Sequence, residues 1–74
     1  PIPDKILINL SNKRLKTLTF ELLEETLATS YSGSEYSHLK LEHITSLNLY
    51  ANLLRSLPDK FCESLTRLEW LNIN

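Results

Sequence analysis

Length, composition and charge limit what this chain can be. Its 74 residues are enough for one small domain with a modest core, and a hydrophobic share of 42% is typical of a folded chain. A net charge of −1 gives no electrostatic reason to expect nucleic-acid binding, and no apolar run approaches the ~20 residues that a membrane-spanning helix needs.

The single cysteine bears on the cellular compartment. Cys62 has no second cysteine with which to form an internal disulfide. Because a lone thiol is more typical of a reducing compartment, we expect a cytoplasmic protein, with the nucleus as the other possibility. The chain opens on proline rather than methionine, so the absence of a signal-peptide pattern says little about targeting.

The N-terminal segment begins as a strand and then changes its spacing. In "KILINLSNKRLKTL", Ile6, Ile8 and Leu10 alternate with polar or outward positions, which predicts a short strand. Leu15 and Leu18 follow at wider gaps that fit neither a strand nor a long helix.

A helix is predicted next, followed by a loop. Phe20, Leu23 and Leu27 lie on one helical face of "TFELLEETLAT", and Thr19 is a suitable N-cap. The polar segment 30–37, "SYSGSEYS", has no periodicity and predicts a solvated insertion. Its serines and tyrosines leave open a second interpretation, in which the loop is a phosphorylation site.

The most informative segment is "ITSLNLYANLLRSLP", residues 44–58. Five of its apolar residues, Ile44, Leu47, Leu49, Leu54 and Leu57, have uneven gaps that match neither a helix nor an extended strand.

A second helical segment is predicted after Pro58. Phe61, Leu65 and Leu68 fall on one helical face there, with Asp59 as N-cap.

The spacing repeats along the chain. The pattern of Ile44, Leu47 and Leu49 recurs 24 residues later at Leu68, Leu71 and Ile73. The pattern of Leu47, Leu49, Leu54 and Leu57 occurs 39 residues earlier at Ile8, Leu10, Leu15 and Leu18. A period in the twenties with a short strand and an irregular or helical return indicates a solenoid.

The repeated segment resembles the leucine-rich repeat family. "ITSLNLYANLLRSLP" is similar to the family signature L-x-x-L-x-L-x-x-N-x-L-x-x-L-P, with isoleucine at the first position. The resemblance implies an α/β right-handed solenoid segment, with a short parallel sheet on the concave face and helical or irregular returns on the convex face. Repeat 1 would span about 5–43 with a serine-rich insertion at 29–38, repeat 2 about 44–67, and the start of repeat 3 68–74.

The resemblance also assigns a role to Asn52. In the family, the asparagine at this position bonds backbone groups of neighbouring turns, and a buried amide needs such partners. The first coil has Lys13 at the corresponding position, which we interpret as an exposed end of the stack.

The concave face provides the candidate partner-binding residues. Alternation puts three positions of each coil outward: Leu7, Asn9 and Ser11; Ser46, Asn48 and Tyr50; Trp70, Asn72 and Asn74. From these we select as partner-binding candidates Asn9, Ser11, Ser46, Asn48, Tyr50, Trp70 and Asn72. The asparagine row is either a recognition surface or a ladder that only steadies the sheet. Trp70 and Tyr50 are candidate interface anchors, unless a further coil covers the tryptophan.

No pattern in the sequence points to catalysis, a metal or a cofactor. His38 and His43 are poorly spaced for a shared metal site, and no histidine is placed to activate Cys62. Gly33 is the only glycine, so there is no phosphate-cradling loop.

The expected function is therefore a non-catalytic protein–protein interaction module, acting as a scaffold or adaptor in an intracellular signalling complex and binding a protein or peptide on its concave face. Its apolar C-terminal end is expected to be covered by further repeats or another chain, and the 74 residues alone are expected to fold poorly. One alternative is a structural capping or dimerisation element. The other is an RNA-binding leucine-rich repeat. The concave positions contain no lysine or arginine, which argues against this alternative.

Overall fold

Three short parallel strands form one sheet in this computed structural model, which describes residues 3–73. The strands are β1 (Leu7–Asn9), β2 (Ser46–Asn48) and β3 (Trp70–Asn72), and they are adjacent in chain order. Leu7 pairs with Ser46, and Ser46 pairs with Trp70, so the register follows the two repeat spacings of the sequence. The predicted short parallel sheet is confirmed.

The first connection contains helix α1 (Phe20–Ser30). The hydroxyl of Thr19 accepts a hydrogen bond from the backbone N–H of Leu22 at 3.1 Å, so the predicted N-cap is confirmed. Leu23 and Leu27 are buried, and Phe20 packs against the core from a half-buried position. The helix thus covers the inner side of the sheet with the face that its periodicity predicts.

The second connection is less helical than its sequence predicts. Helix α2 spans only Phe61–Ser64, and Leu68 lies beyond it in a turn rather than on its face. Asp59 is not the N-cap: the capping residue is Lys60, in a left-handed conformation at φ 63° and without a side-chain capping bond. Because β3 begins at Trp70, the segment between the two elements is too short for the helix to continue to Leu68.

One apolar core lies between the sheet, α1 and α2. Its buried members are Ile6, Ile8, Leu10, Leu18, Leu23, Leu27, Ile44, Leu47, Leu49, Phe61 and Leu65. Leu54, Leu57 and Leu71, which belong to the repeated spacing, pack against it from half-buried positions. Ile73, which corresponds by spacing to the buried Leu49, is 42% exposed, because no described residue packs over the far side of β3.

Equivalent left-handed residues form the corners that follow β1 and β2. Asn12 has φ 56° and Ala51 has φ 60°, and they are separated by the same interval as the paired strands. The backbone N–H of Asn12 donates to the carbonyl of Tyr50 at 2.9 Å, and that of Leu53 donates to the carbonyl of Leu15 at 2.8 Å. The two chain segments therefore stay in register beyond the strands.

The serine-rich insertion is more ordered than a solvated loop. Its four serines are exposed, as expected, but it contains a 3₁₀ turn at Ser34–Tyr36, preceded by Gly33 at φ 115°. Tyr31 and Tyr36 are half-buried, and Tyr31 packs against the core. A further 3₁₀ turn, Leu41–His43, leads towards β2. In residues 3–73, we find no helix with the length and apolar character to cross a membrane.

Candidate functional site

The open face of the sheet carries two rows of aligned side chains. One row consists of Leu7, Ser46 and Trp70, and the other of Asn9, Asn48 and Asn72. Between them along each strand lie the inward residues Ile8, Leu47 and Leu71. The predicted outward orientation is confirmed for both rows, since their members are exposed or half-buried whereas Ile8 and Leu47 are buried.

Large apolar side chains are exposed at two ends of this face. Leu7 is 52% exposed and Trp70 is 48% exposed, with only the small Ser46 between them. Because neighbouring strands lie roughly 5 Å apart, the backbones of these two residues are about 10 Å apart across the sheet. Tyr50, 50% exposed, follows β2, and Ser11 follows β1. The ninth outward position, Asn74, lies outside the described residues.

The asparagine row has a structural role at two of its three positions. The Oδ1 of Asn9 accepts hydrogen bonds from the backbone N–H and the hydroxyl of Ser11, at 3.1 and 2.8 Å. The Oδ1 of Asn48 likewise accepts from the backbone N–H of Tyr50 at 3.0 Å. Each asparagine therefore closes the turn that ends its strand.

The same two asparagines have amide donors that the described protein groups leave unused. Within residues 3–73, the Nδ2 groups of Asn9 and Asn48 donate no hydrogen bond to the protein. Because their Oδ1 atoms are held by the turn, the direction of these amide donors is fixed. The oxygen atoms thus steady the turns, while recognition of a partner through the nitrogen atoms stays a prediction.

The face itself carries no charged side chain among its described positions. A nearby ion pair joins Lys5 Nζ to Glu69 Oε1, just before β1 and β3. Both side chains are exposed, so this pair contributes little to stability. The described positions of the face are therefore uncharged, with aromatic and aliphatic groups among their exposed side chains.

Asn52 joins the two corners by four hydrogen bonds. Its Oδ1 accepts from the backbone N–H groups of Lys13 and Leu15, both at 3.0 Å. Its Nδ2 donates to the carbonyl oxygens of Leu10 at 2.8 Å and Leu49 at 3.0 Å. The side chain therefore has the bridging role that the sequence resemblance implies. The Lys13 side chain at the matching position is exposed, as expected.

Thr45 is a structural residue that the sequence reasoning missed. It is only 4% exposed, and its hydroxyl accepts a hydrogen bond from the backbone N–H of Ile6 at 3.0 Å and donates one to the Ile6 carbonyl at 3.2 Å. Its neighbours Ile44 and Ser46 form no pattern that would have indicated this contact.

Tyr31 was also missed, and it protects one edge of the sheet. Ser46 N–H donates to the Ile6 carbonyl, and Leu10 N–H donates to the Asn48 carbonyl, so the backbone groups of Leu7 point away from β2. The Tyr31 hydroxyl accepts from Leu7 N–H at 2.9 Å and donates to the Leu7 carbonyl at 3.5 Å. The insertion therefore supplies a side chain that satisfies an edge-strand residue.

The histidines and the cysteine do not come together as a reactive site. His43 Nδ1 accepts a hydrogen bond from the backbone N–H of Lys40 at 2.9 Å, which closes the 3₁₀ turn, while His38 is exposed. Cys62 is exposed on α2. Among the residues that the structure describes, no group of three or more histidine, cysteine, aspartate or glutamate side chains could hold a metal ion.

Comparison with known proteins gives no relative for this chain: no family model, no curated protein and no solved structure matches it. Its function must therefore be inferred from its own residues and their geometry.

Proposed function

We propose that this chain is a leucine-rich repeat segment that binds another protein or peptide through the open face of its sheet. In this proposal β1, β2 and β3 belong to successive coils of a solenoid. The supporting features are the sheet register, which follows both sequence repeats, and the Asn52 side chain, which bridges two corners. The protein would act without catalysis, as a scaffold or adaptor in an intracellular signalling complex.

The observation that carries the binding proposal is the composition of the open face. Leu7, Trp70 and Tyr50 are each about half exposed, although 74 residues offer few apolar side chains beyond those that fill the core. Tryptophan and tyrosine are the side chains that most often dominate interface energetics, since they bury a large area at a small cost in conformational entropy. The Nδ2 donors of Asn9 and Asn48 lie between these anchors and supply directional contacts.

The proposal is tested by removing one anchor from the full-length protein. Partners recovered with the wild-type protein are purified, and their affinities are measured by isothermal titration calorimetry. Trp70→Ala is expected to weaken binding at least about 30-fold, the effect of losing one interface hot spot. Leu53→Ala is the matched control, because Leu53 is 57% exposed but lies beyond the turn that follows β2, outside the two rows. An unchanged affinity for Trp70→Ala, with circular dichroism showing an intact fold, would contradict the proposal.

A structural role is the second candidate, favoured by the outer side of β3. Leu71 is half-buried and Ile73 is 42% exposed there, which leaves apolar surface for a further coil or a second chain. If this is the main function, Trp70→Ala will leave partner binding intact, whereas Ile73→Lys will alter the oligomeric state or stability of the full-length protein. Sedimentation velocity distinguishes the two candidates.

A further inference from the structure

We propose that this protein has a second binding site, a groove on the side of α1, that takes an arginine side chain from a partner protein. The groove lies between α1, the serine-rich insertion and the 3₁₀ turn Leu41–His43, and its volume is about 750 Å³. None of its lining residues belongs to the three strands, so the site is separate from the open sheet face. Its size is that of a typical ligand pocket.

The floor of the groove is apolar. It is formed by Leu27 together with Leu39 and Leu41, which pack against the core from half-buried positions. Such a floor suits the aliphatic stem of a long side chain and an apolar neighbour in the partner's sequence.

Two tyrosine rings form a wall of the groove. Tyr31 and Tyr36 meet edge to face, with ring centroids 5.5 Å apart and an interplanar angle of 75°. In this arrangement the ring that presents its edge keeps both of its own faces free of the other ring. An aromatic face attracts a cation through its quadrupole. The Tyr31 ring is also held in place by its hydrogen bonds to Leu7, so the wall exists before any ligand arrives.

The charges around the groove favour a cation over a neutral group. Two carboxylates, Glu24 and Glu42, line it together with one ammonium group, that of Lys40. Arginine fits this combination better than lysine does. Its guanidinium is planar and weakly hydrated, so it can stack on an aromatic ring while its N–H groups bond a carboxylate. The aromatic rings and the carboxylates together therefore favour an arginine side chain as the occupant.

The test uses two peptides that differ only in charge. Acetyl-Leu-Arg-Leu-amide and its citrulline analogue, in which a urea replaces the guanidinium, are titrated into the ¹⁵N-labelled full-length protein. The arginine peptide is expected to produce saturable shifts at amides of the groove, such as those of Gly33 and Ser37, with an affinity at least about ten times that of the citrulline peptide. Equal affinities, or no saturable shift with the arginine peptide, would overturn the proposal.

Paired variants separate the two causes of binding. Glu24→Gln combined with Glu42→Gln should weaken the arginine peptide several-fold, whereas Glu21→Gln, on the same helix but outside the groove, should not. Tyr36→Leu should weaken it while Tyr36→Phe should not, because only the first removes the aromatic face. If the Glu21 control weakens binding as much as the groove pair, or if the two Tyr36 variants behave alike, the site is not the one proposed. Trp70→Ala should leave this affinity unchanged, which distinguishes this site from the sheet face.

Discussion

Replacement of Asn52 by alanine should destabilise the fold more than any other substitution of an asparagine in the described part of the chain. The side chain makes four hydrogen bonds to backbone groups, and three of them are partly buried. At about 1 kcal/mol of net stability for each bond, the sum is about 4 kcal/mol. The Lys13 N–H lies at an exposed position where water can replace the lost acceptor, which lowers the expected loss to about 3 kcal/mol. That is a large part of the ~5–15 kcal/mol by which small domains are stable.

Urea denaturation of the full-length protein, followed by circular dichroism, measures this loss. We expect a lower midpoint with an unchanged slope, since the substitution removes contacts without changing the surface exposed on unfolding. Hydrogen exchange should localise the effect, with faster exchange at the amides of Lys13 and Leu15 and unchanged exchange at Leu23 in α1.

The matched control is Asn48→Ala. It removes one acceptor, that of the Tyr50 N–H, and should cost about 1 kcal/mol or less. A loss for Asn52→Ala that is no larger than the loss for Asn48→Ala would show that Asn52 does not hold the two corners together.

Two further predictions concern buried and strained positions. Thr45→Val keeps the side-chain shape but leaves the Ile6 N–H without its acceptor, so it should lower the free energy of unfolding by about 1–3 kcal/mol in urea denaturation. Ala51→Asn should raise it by up to about 1 kcal/mol, because asparagine tolerates the left-handed conformation that Ala51 adopts at φ 60°, and a higher thermal midpoint would show this.

Each of these predictions has a control within α1. Thr26→Val removes a hydroxyl that donates to the Leu22 carbonyl, an oxygen within the helical backbone, and should change stability little. If it costs as much as Thr45→Val, loss of the Ile6 acceptor is not the cause. Ala28→Asn should destabilise by about 0.5 kcal/mol, since asparagine is a poorer helix former than alanine. A loss for Ala51→Asn as well would contradict the backbone argument.

The sequence was most informative where the spacing of apolar residues determines the structure. Ile8 and Leu47 alternate with outward residues, and the interval between them equals the register of β1 on β2. Helix α1 followed from its period and from Thr19, because both the buried face and the cap are local features. The outward positions of the sheet face, including Trp70, followed from the same alternation.

Features that depend on distant partners could not be predicted in this way. The Thr45 hydroxyl needs Ile6, and the Tyr31 hydroxyl needs Leu7, yet neither contact has a local pattern. The predicted second helix was too long because Leu68 fits a helical period, while the position of β3 limits where the helix can continue.

The contact between Tyr31 and Leu7 makes the two edges of the sheet unequal for the addition of a further strand. An incoming strand beside β1 would need the Leu7 N–H and carbonyl groups that the tyrosine hydroxyl already occupies. In β3, the Trp70 N–H and the Asn72 carbonyl bond towards β2, so the backbone N–H and carbonyl of Leu71 point to the opposite edge of the sheet. No described residue bonds these two Leu71 groups as Tyr31 bonds those of Leu7. The Tyr31 hydroxyl thus obstructs strand addition beside Leu7 of β1, whereas no described residue obstructs it beside β3, so an added parallel strand is expected at β3.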